Sequence, residues 1–135
     1  MENDCIFCKL IKGDIPSKKV TESANFVVIK DVYPKVEGHS LVIPKEHCEF
    51  IEELSEKSLK KTFHIVTKMA GTIRKNYGDC HILINNGKNA EQYIKHVHFH
   101  IIPKTSKKSP LWHDLSHEEF ENISAELSKI FQNTH

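Results

Sequence analysis

The stretch that decides the fold runs from His96 to Pro103 and reads HVHFHIIP, with polar and apolar residues in strict alternation up to Ile101. Successive side chains of an extended strand point to opposite faces, and residues two apart share a face at a spacing of about 6.8 Å. The imidazoles of His96, His98 and His100 therefore share one face, and the apolar residues between them share the other. This pattern predicts a strand with one side in the core and the other side available for chemistry.

Around this strand, the composition is that of one domain with an ordinary hydrophobic core. The chain has 135 residues, of which 39% are hydrophobic, and its 19 Lys and Arg nearly balance 18 Asp and Glu. A chain of this size buries roughly two thirds of its surface on folding, so no cross-link is needed for stability. The charge balance excludes a broad basic surface for nucleic acid, and the hydrophobic content excludes a disordered chain. We therefore expect residues 1–135 to form a single domain.

Strand signals recur along the chain between short turn-rich stretches. Five segments are strand candidates rich in β-branched or aromatic residues, and most of them are bounded by Gly, Pro, Asn or Asp. These segments are 19–22, 26–29, 40–43, 81–84 and 97–103. The first three follow one another through short connections, as in a meander of antiparallel strands.

Helical signals complete the pattern. Apolar residues at steps of three and four predict one face of a long helix over about 56–75; they are Leu59, Phe63, Val66, Ala70 and Ile73. A short apolar segment at 5–12 ends at Gly13, and a capping box at Ser116 and Glu119 begins a last helix. We predict an α+β domain: a mainly antiparallel five-stranded sheet covered by one long helix, with a short N-terminal helix and a C-terminal helix.

The start of the chain bears on location. Residues 1–4 read MEND, with no basic stretch before an apolar run, and no segment approaches the ~18 consecutive apolar residues of a membrane span. We therefore expect a cytoplasmic, soluble protein with neither a membrane nor a nucleic acid as partner.

The cysteines offer a second site of possible chemistry. Cys5 and Cys8 have the two-residue spacing that lets both thiolates bind one zinc ion, and His47 is a candidate third ligand. A redox pair and two unconnected thiols are the alternatives. Cys48 and Cys80 are interpreted as plain buried or half-buried thiols.

Two interpretations of the histidine strand remain open from the residues alone. The imidazoles gather one catalytic metal, or one of them attacks the substrate directly. A neutral imidazole can attack phosphorus if an acceptor such as a backbone carbonyl holds its second ring nitrogen. Neighbouring imidazoles can then protonate the leaving group and stabilise charge on the phosphate oxygens.

Several motifs in a fixed order resemble the histidine-triad (HIT) family of nucleotide hydrolases and transferases over roughly residues 5–104. They are CIFCK at 5–9, GHSLVIPKEH at 38–47, Asn85-x-Gly87, Gln92 and His96-x-His98-x-His100. Residues 105–135, which include Trp112, form an extension that departs from the family pattern; Trp112 anchors the last helix or covers the active site.

The resemblance implies a catalytic set. It makes His98 the nucleophile that carries a nucleoside monophosphate group as a covalent intermediate. His100 is its phosphate-side neighbour and a donor to the phosphate or the leaving group, and His39 is a supporting fourth histidine. The implied activity is hydrolysis of a phosphoramidate or a dinucleoside polyphosphate of a purine nucleoside.

The resemblance also implies a nucleotide pocket, which includes His98 and His100. Asp31 holds the ribose hydroxyls, and Asn85 and Gln92 lie at the phosphate. An apolar slot for the base is formed by Ile6, Phe7, Leu10, Ile29 and Val32. The alternatives are a turn role for Asp31 and Asn85 and a core role for the apolar residues.

A structural zinc ion, one per chain, is implied by the zinc-bearing branch of the family, in which the first triad histidine completes the ligand set. The implied ligands are Cys5, Cys8, His47 and His96. Four protein ligands close a tetrahedral shell and leave no position for a reactive water. The same resemblance implies a homodimer.

The residues on either side of Gln92, here called the phosphate loop, depart from the family pattern. Many members have a small residue on each side of the glutamine, whereas this chain has Glu91 before Gln92 and Tyr93 after it. A carboxylate at this position disfavours a polyanionic leaving group. Two other functions therefore stay open: a nucleotide-binding or regulatory module with weak or no catalysis, and a hydrolase whose triad holds a catalytic metal.

Overall fold

Five antiparallel strands and two helices make up the fold of the computed structural model, which describes residues 4–31, 38–76 and 78–105. The helices are α1, Ile6–Lys12, and α2, Glu56–Asn76; the strands are β1, Lys19–Glu22, β2, Phe26–Lys30, β3, Ser40–Pro44, β4, Gly78–Leu83, and β5, Phe99–Thr105. Short 3-10 turns lie at Ile51–Glu53 and Lys88–Ala90. The strands form one sheet in the order β1-β2-β3-β5-β4, and each neighbouring pair is antiparallel. The predicted fold class is confirmed.

The two faces of the sheet are covered differently, and strand alternation explains why. In β2, Phe26 and Val28 join the cluster that packs against α2, whereas Val27 and Ile29 join the cluster that packs against α1. Period-two alternation sends neighbouring residues to opposite layers. The α2 layer also contains Val97, Phe99 and Ile101, so the three histidines between and beside them face the α1 layer.

Three strands end one or two residues later than predicted, β2 at Lys30, β3 at Pro44 and β5 at Thr105. Two larger differences concern β4 and the start of β5. β4 covers Gly78–Leu83 rather than 81–84, and β5 begins at Phe99 rather than at 97. The second difference has a clear cause, because the Val97 N–H donates to the Cys48 carbonyl oxygen at 2.9 Å instead of joining the ladder. Alternation nevertheless persists through 97 and 98. The helix predicted from Ser116, and Trp112, lie outside the described residues.

The buried face of α2 is rotated from the predicted one. Val66 and Ile73 are buried as expected, but Phe63 is 40% exposed. The buried positions are instead Ser58, Thr62, Ile65, Val66, Met69, Thr72 and Ile73. Apolar residues follow two adjacent stripes of this helix, and the short hydroxyl side chains fit beneath it against the sheet. The edge of the Phe63 ring still meets Phe99, with ring centroids 5.3 Å apart.

No helix in the described ranges combines the length and the apolar character that a membrane span requires.

Candidate functional site

Two cysteines and two histidines from distant parts of the chain converge beside the sheet. Cys5 Sγ lies 3.3 Å from His96 Nδ1, and Cys8 Sγ lies 3.6 Å from the same nitrogen. His47 Nδ1 is 3.1 Å from Cys8 Sγ and 3.2 Å from His96 Nδ1. All four ligand atoms lie within 4.8 Å of one another. The structure thus brings together the four residues that the sequence analysis proposed as metal ligands.

The cysteines are presented by the first turn of α1. Cys5 is the N-cap residue with an extended backbone, and its sulfur accepts a hydrogen bond from the Cys8 N–H at 3.3 Å. Gly13 ends the helix in the left-handed conformation, with φ 86°, which glycine adopts without steric cost. A helix held at both ends in this way directs both sulfurs to the same point.

The tautomer of His96 is set by the backbone. Its Nε2 lies 2.7 Å from the Pro44 carbonyl oxygen, and because a carbonyl only accepts, this nitrogen carries the proton. The lone pair is therefore on Nδ1, which faces the two sulfurs. Burial lowers the pKa of His96, although the bond to Pro44 opposes this shift, so the ring is held in the neutral form that binds metals.

The donor set fits a tetrahedral zinc ion. Zinc bonds of roughly 2.3 Å to sulfur and 2.0–2.1 Å to nitrogen give ligand-to-ligand separations of about 3.3–3.8 Å in a tetrahedron. The four measured separations run from 3.1 to 3.6 Å. The Pro44 carbonyl would act as the outer partner that orients the ligand, as is usual for metal-binding histidines.

His98 is oriented by the residue two positions before it. Its Nδ1 lies 2.8 Å from the His96 carbonyl oxygen, so Nδ1 carries the proton and Nε2 holds the lone pair. Burial lowers the pKa of His98, against the opposing effects of this hydrogen bond and of the charge on Asp31. The Phe7 ring packs edge-on against it, with centroids 5.1 Å apart. The condition that the sequence analysis set for a nucleophilic imidazole is therefore met.

A second cluster lies on the other side of His98. His39 Nε2 is 2.9 Å from His100 Nδ1 and 3.2 Å from Asp31 Oδ2, and His100 Nδ1 is 3.9 Å from the same oxygen. The His39 side chain is 1% exposed, whereas Asp31 and His100 are 13% and 18% exposed. The aspartate predicted to hold ribose is thus in contact with two of the predicted catalytic histidines.

The residues predicted for the base slot differ in how deeply they are buried. Phe7, Leu10 and Ile29 are buried in the cluster beneath α1, and the Phe7 ring packs against the imidazoles of His96 and His98. Ile6 is 49% exposed and lines a surface pocket of about 270 Å³ with Cys5, His47 and Tyr93. Val32 lies outside the described residues.

Gln92 connects three pieces of chain. Its Nε2 donates to the carbonyl oxygens of Glu49 at 2.6 Å and Ile94 at 3.1 Å, and its Oε1 accepts from the Gly87 N–H at 2.7 Å. Both polar atoms of the Gln92 side chain thus bond backbone groups and stabilise the loop, while its role at a phosphate stays a prediction. Asn85 Nδ2 reaches the Glu91 carbonyl oxygen at 3.4 Å.

Two features of this loop escaped the sequence analysis. Glu91 has φ 65°, and it is the sole non-glycine residue with positive φ in the part of the chain that the structure describes. Asn86 accepts from the Ile51 N–H at 2.9 Å and donates to Glu52 at 3.0 Å, which ties the loop to the 3-10 turn. The Asn-Asn-Gly sequence signalled a turn but not this long-range contact.

Known proteins with similar sequences include nucleotide hydrolases of one family. Residues 12–107 match the sequence pattern of the HIT domain. An adenosine 5'-monophosphoramidase of Schizosaccharomyces pombe is 42% identical over 130 residues, which cover 92% of this chain and 96% of that protein. An adenylylsulfatase of Arabidopsis thaliana is 36% identical over 131 residues, which cover 96% of this chain and 64% of that protein.

A solved structure has the same fold over its whole length. It is a Zn-bound histidine triad family protein from Mycobacterium smegmatis, with a TM-score of 0.80, 27% identity and full coverage of both chains. Together with the matched domain and the relatives, this likeness shows that the chain belongs to the HIT family, the histidine-triad proteins.

Proposed function

We propose that this protein is a nucleotide hydrolase that cleaves a phosphorus-linked leaving group from a purine nucleoside monophosphate. The observation that carries the proposal is the hydrogen bond from His98 Nδ1 to the His96 carbonyl oxygen. It leaves the Nε2 lone pair of a neutral imidazole to attack phosphorus. Relatives named as an adenosine 5'-monophosphoramidase and an adenylylsulfatase support a nucleotide substrate.

The reaction proceeds in two displacements. His98 Nε2 forms a bond to phosphorus while the bond from phosphorus to the leaving group breaks, and the leaving group departs with a proton from His100. Water then attacks phosphorus and gives its proton back to His100, while the bond from phosphorus to His98 Nε2 breaks and the nucleoside monophosphate is released. His39 Nε2 lies 2.9 Å from His100 Nδ1 and orients His100 so that its other ring nitrogen donates to the leaving group.

The remaining pocket residues bind and orient the nucleotide. Asp31 accepts hydrogen bonds from the ribose hydroxyls, and Asn85 lies at the phosphate. Gln92 acts through the loop that it holds, because its amide already bonds three backbone groups. The base lies against apolar residues, namely Ile6, Phe7, Leu10, Ile29 and Val32.

We also propose that the chain binds one structural zinc ion through Cys5, Cys8, His47 and His96. The measured separations of the donor atoms support a closed tetrahedral shell. The ion would cross-link α1 to the residues before β5 and supply no reacting group. Reduced thiols at Cys5 and Cys8 fit a cytoplasmic location, where disulfides are rare.

A homodimer is proposed from the exposed apolar surface of α2 and β4. Phe63, Ile82 and Leu83 are 40%, 50% and 40% exposed, and β4 lies at the edge of the sheet. An edge strand with exposed apolar residues is favourable for pairing with a second copy.

Two other functions are compatible with particular residues. Glu91 and Tyr93 in the phosphate loop favour a binding module with weak catalysis, because a carboxylate there repels phosphate. The second cluster of Asp31, His39 and His100 has the donor types of a catalytic metal site.

One assay separates the three functions. Adenosine 5'-phosphoramidate and a diadenosine polyphosphate are incubated with the wild type, His98→Ala, and His64→Ala as a control at an exposed histidine of α2. We expect turnover that survives chelator, persists in His64→Ala and disappears in His98→Ala. Binding without turnover by the wild type would contradict the proposal in favour of a module. Turnover that chelator abolishes would contradict it in favour of a metal hydrolase.

A further inference from the structure

A second, separate set of metal-ligand atoms lies beside the same sheet as the first. His39 Nε2, His100 Nδ1 and Asp31 Oδ2 lie within 4.8 Å of one another, and none of them belongs to the cysteine cluster. His39 precedes β3, His100 lies in β5, and Asp31 follows β2. Three neighbouring strands of the sheet therefore each direct one donor atom to the same point.

The triangle of these atoms has the size of a coordination site. A point equidistant from atoms separated by 2.9, 3.2 and 3.9 Å lies about 2.0 Å from each of them, and zinc bonds to nitrogen and carboxylate oxygen are roughly 2.0–2.2 Å long. An ion at or slightly above this point meets all three donors without a movement of the backbone.

The chemistry of the donors selects the kind of ion. Two imidazoles and one carboxylate suit zinc and similar divalent transition metals rather than calcium or magnesium, which prefer oxygen ligands. Two neutral imidazoles and one carboxylate carry a single negative charge. A divalent ion bound to them therefore keeps a net charge of +1, which favours an anionic further ligand. Asp31 and His100 are partly exposed, and three protein ligands are one fewer than the four of a closed zinc site.

We propose that Asp31, His39 and His100 form a second, labile binding site for a divalent transition-metal ion. The four-ligand cysteine site is closed and binds tightly, whereas this three-ligand site is open and binds at least about tenfold more weakly. The two sites lie on opposite sides of His98.

Occupation of this site blocks the reaction. The ion coordinates His100 Nδ1 and His39 Nε2. With both imidazoles bound to the metal, His100 no longer donates a proton to the leaving group and His39 no longer orients it. This consequence rests on the proposed function, whereas the binding of the metal does not. Excess zinc is therefore an inhibitor of the protein, and the first equivalent is not.

The binding is tested with Co²⁺ and Zn²⁺ alone, on metal-free full-length protein under reducing conditions. We expect the wild type to bind two equivalents. The first produces the intense sulfur-to-cobalt absorption of thiolate ligation, and the second does not change that band. Asp31→Asn and His39→Gln are expected to bind one equivalent with the thiolate band intact, and the control His64→Gln two. The double variant Cys5→Ser, Cys8→Ser is expected to keep only the weaker equivalent.

Saturation of the wild type at one equivalent would overturn the proposal, and so would a second equivalent that persists in both Asp31→Asn and His39→Gln. The Asp31→Asn side chain is nearly isosteric, and far-ultraviolet circular dichroism checks its fold. In a turnover assay with adenosine 5'-phosphoramidate, we expect the second equivalent of Zn²⁺ to reduce the rate at least tenfold. Complete absence of turnover in metal-free and one-zinc protein counts against the proposed function and leaves the binding result unaffected.

Discussion

His96 donates its Nε2–H to the Pro44 carbonyl oxygen over 2.7 Å, and this one bond decides which nitrogen faces the cysteines. His96 is 0% exposed, so the ring has no room to turn over. The Nδ1 lone pair is then fixed against Cys5 and Cys8. Two sulfurs and two imidazoles lie in close contact around this nitrogen, and a divalent ion that binds all four donor atoms would stabilise the folded chain.

Cys5→Ser is predicted to lower the zinc content from about one ion per chain to a small fraction of that value, because a hydroxyl is a poor zinc ligand. Loss of the ion is predicted to lower Tm by at least about 10 °C in this single domain. Metal analysis and calorimetry measure both effects. Cys80→Ser, at a half-buried cysteine of β4, is the matched control and keeps its zinc. Full occupancy in Cys5→Ser would refute the ligand assignment.

Rapid quench of wild-type protein in base during turnover is predicted to trap a nucleotide on the peptide that contains His98, because a phosphorus–nitrogen bond survives base better than acid. Its Nε2 is the nitrogen that the bond to the His96 carbonyl leaves unprotonated. Mass spectrometry of the digested protein locates the adduct. The comparison variant His98→Ala is expected to carry no adduct. An adduct on His100 would show that His100, and not His98, is the nucleophile.

Gln92→Ala is predicted to destabilise the protein by about 1–3 kcal/mol, because the carbonyl oxygen of Glu49 and the N–H of Gly87 lose their partner in a partly buried position. Urea unfolding gives the difference. The control Lys88→Ala changes an exposed residue of the same loop and should alter stability by less than about 0.5 kcal/mol. Equal stabilities for the two variants would show that the hydrogen bonds of Gln92 do not stabilise the loop.

Glu91→Gly is predicted to stabilise the protein by about 0.5–1 kcal/mol, because Glu91 has φ 65° and glycine adopts this conformation without a steric penalty. The same change removes a carboxylate from the phosphate loop, so kcat/KM for a diadenosine polyphosphate should rise more than kcat/KM for the phosphoramidate. Glu91→Gln separates the two effects, since it removes the charge and keeps the strain. A stability gain in Glu91→Gln equal to that in Glu91→Gly would show that strain is not the cause.

Leu83→Lys is predicted to convert a dimer to a monomer, because it places a charge on an exposed apolar position of the edge strand β4. Sedimentation at micromolar concentration measures the change. Thr21→Lys, on the opposite edge strand β1, is the matched control and should remain dimeric. A wild-type protein that sediments as a monomer would contradict the proposal at once.

Local sequence rules predicted the strands well because alternation reports which layer a side chain joins. Val97, Phe99 and Ile101 pack beneath α2, as the pattern around His98 required. The same rules misplaced the face of α2, since Phe63 belongs to a stripe next to the buried one. A helical period alone does not distinguish a face that meets its own sheet from a face left on the surface.

Contacts between distant segments were beyond these rules. The approach of Asp31 to His39 and His100, and the three bonds of Gln92, depend on where separate loops meet in space. The cysteine cluster was anticipated only because a family resemblance supplied its fourth ligand. Spacing alone gave Cys5, Cys8 and a candidate in His47.

The bond from His98 Nδ1 to the His96 carbonyl oxygen has a consequence for how such a site can change during evolution. Every amino acid at position 96 supplies a carbonyl, so the orientation of His98 does not require the imidazole at 96. Replacement of the four proposed metal ligands as a group therefore leaves the proposed nucleophile oriented. The proposed metal site and the proposed nucleophile are connected here through the backbone carbonyl of His96 and not through its side chain, so each can change while the other is kept.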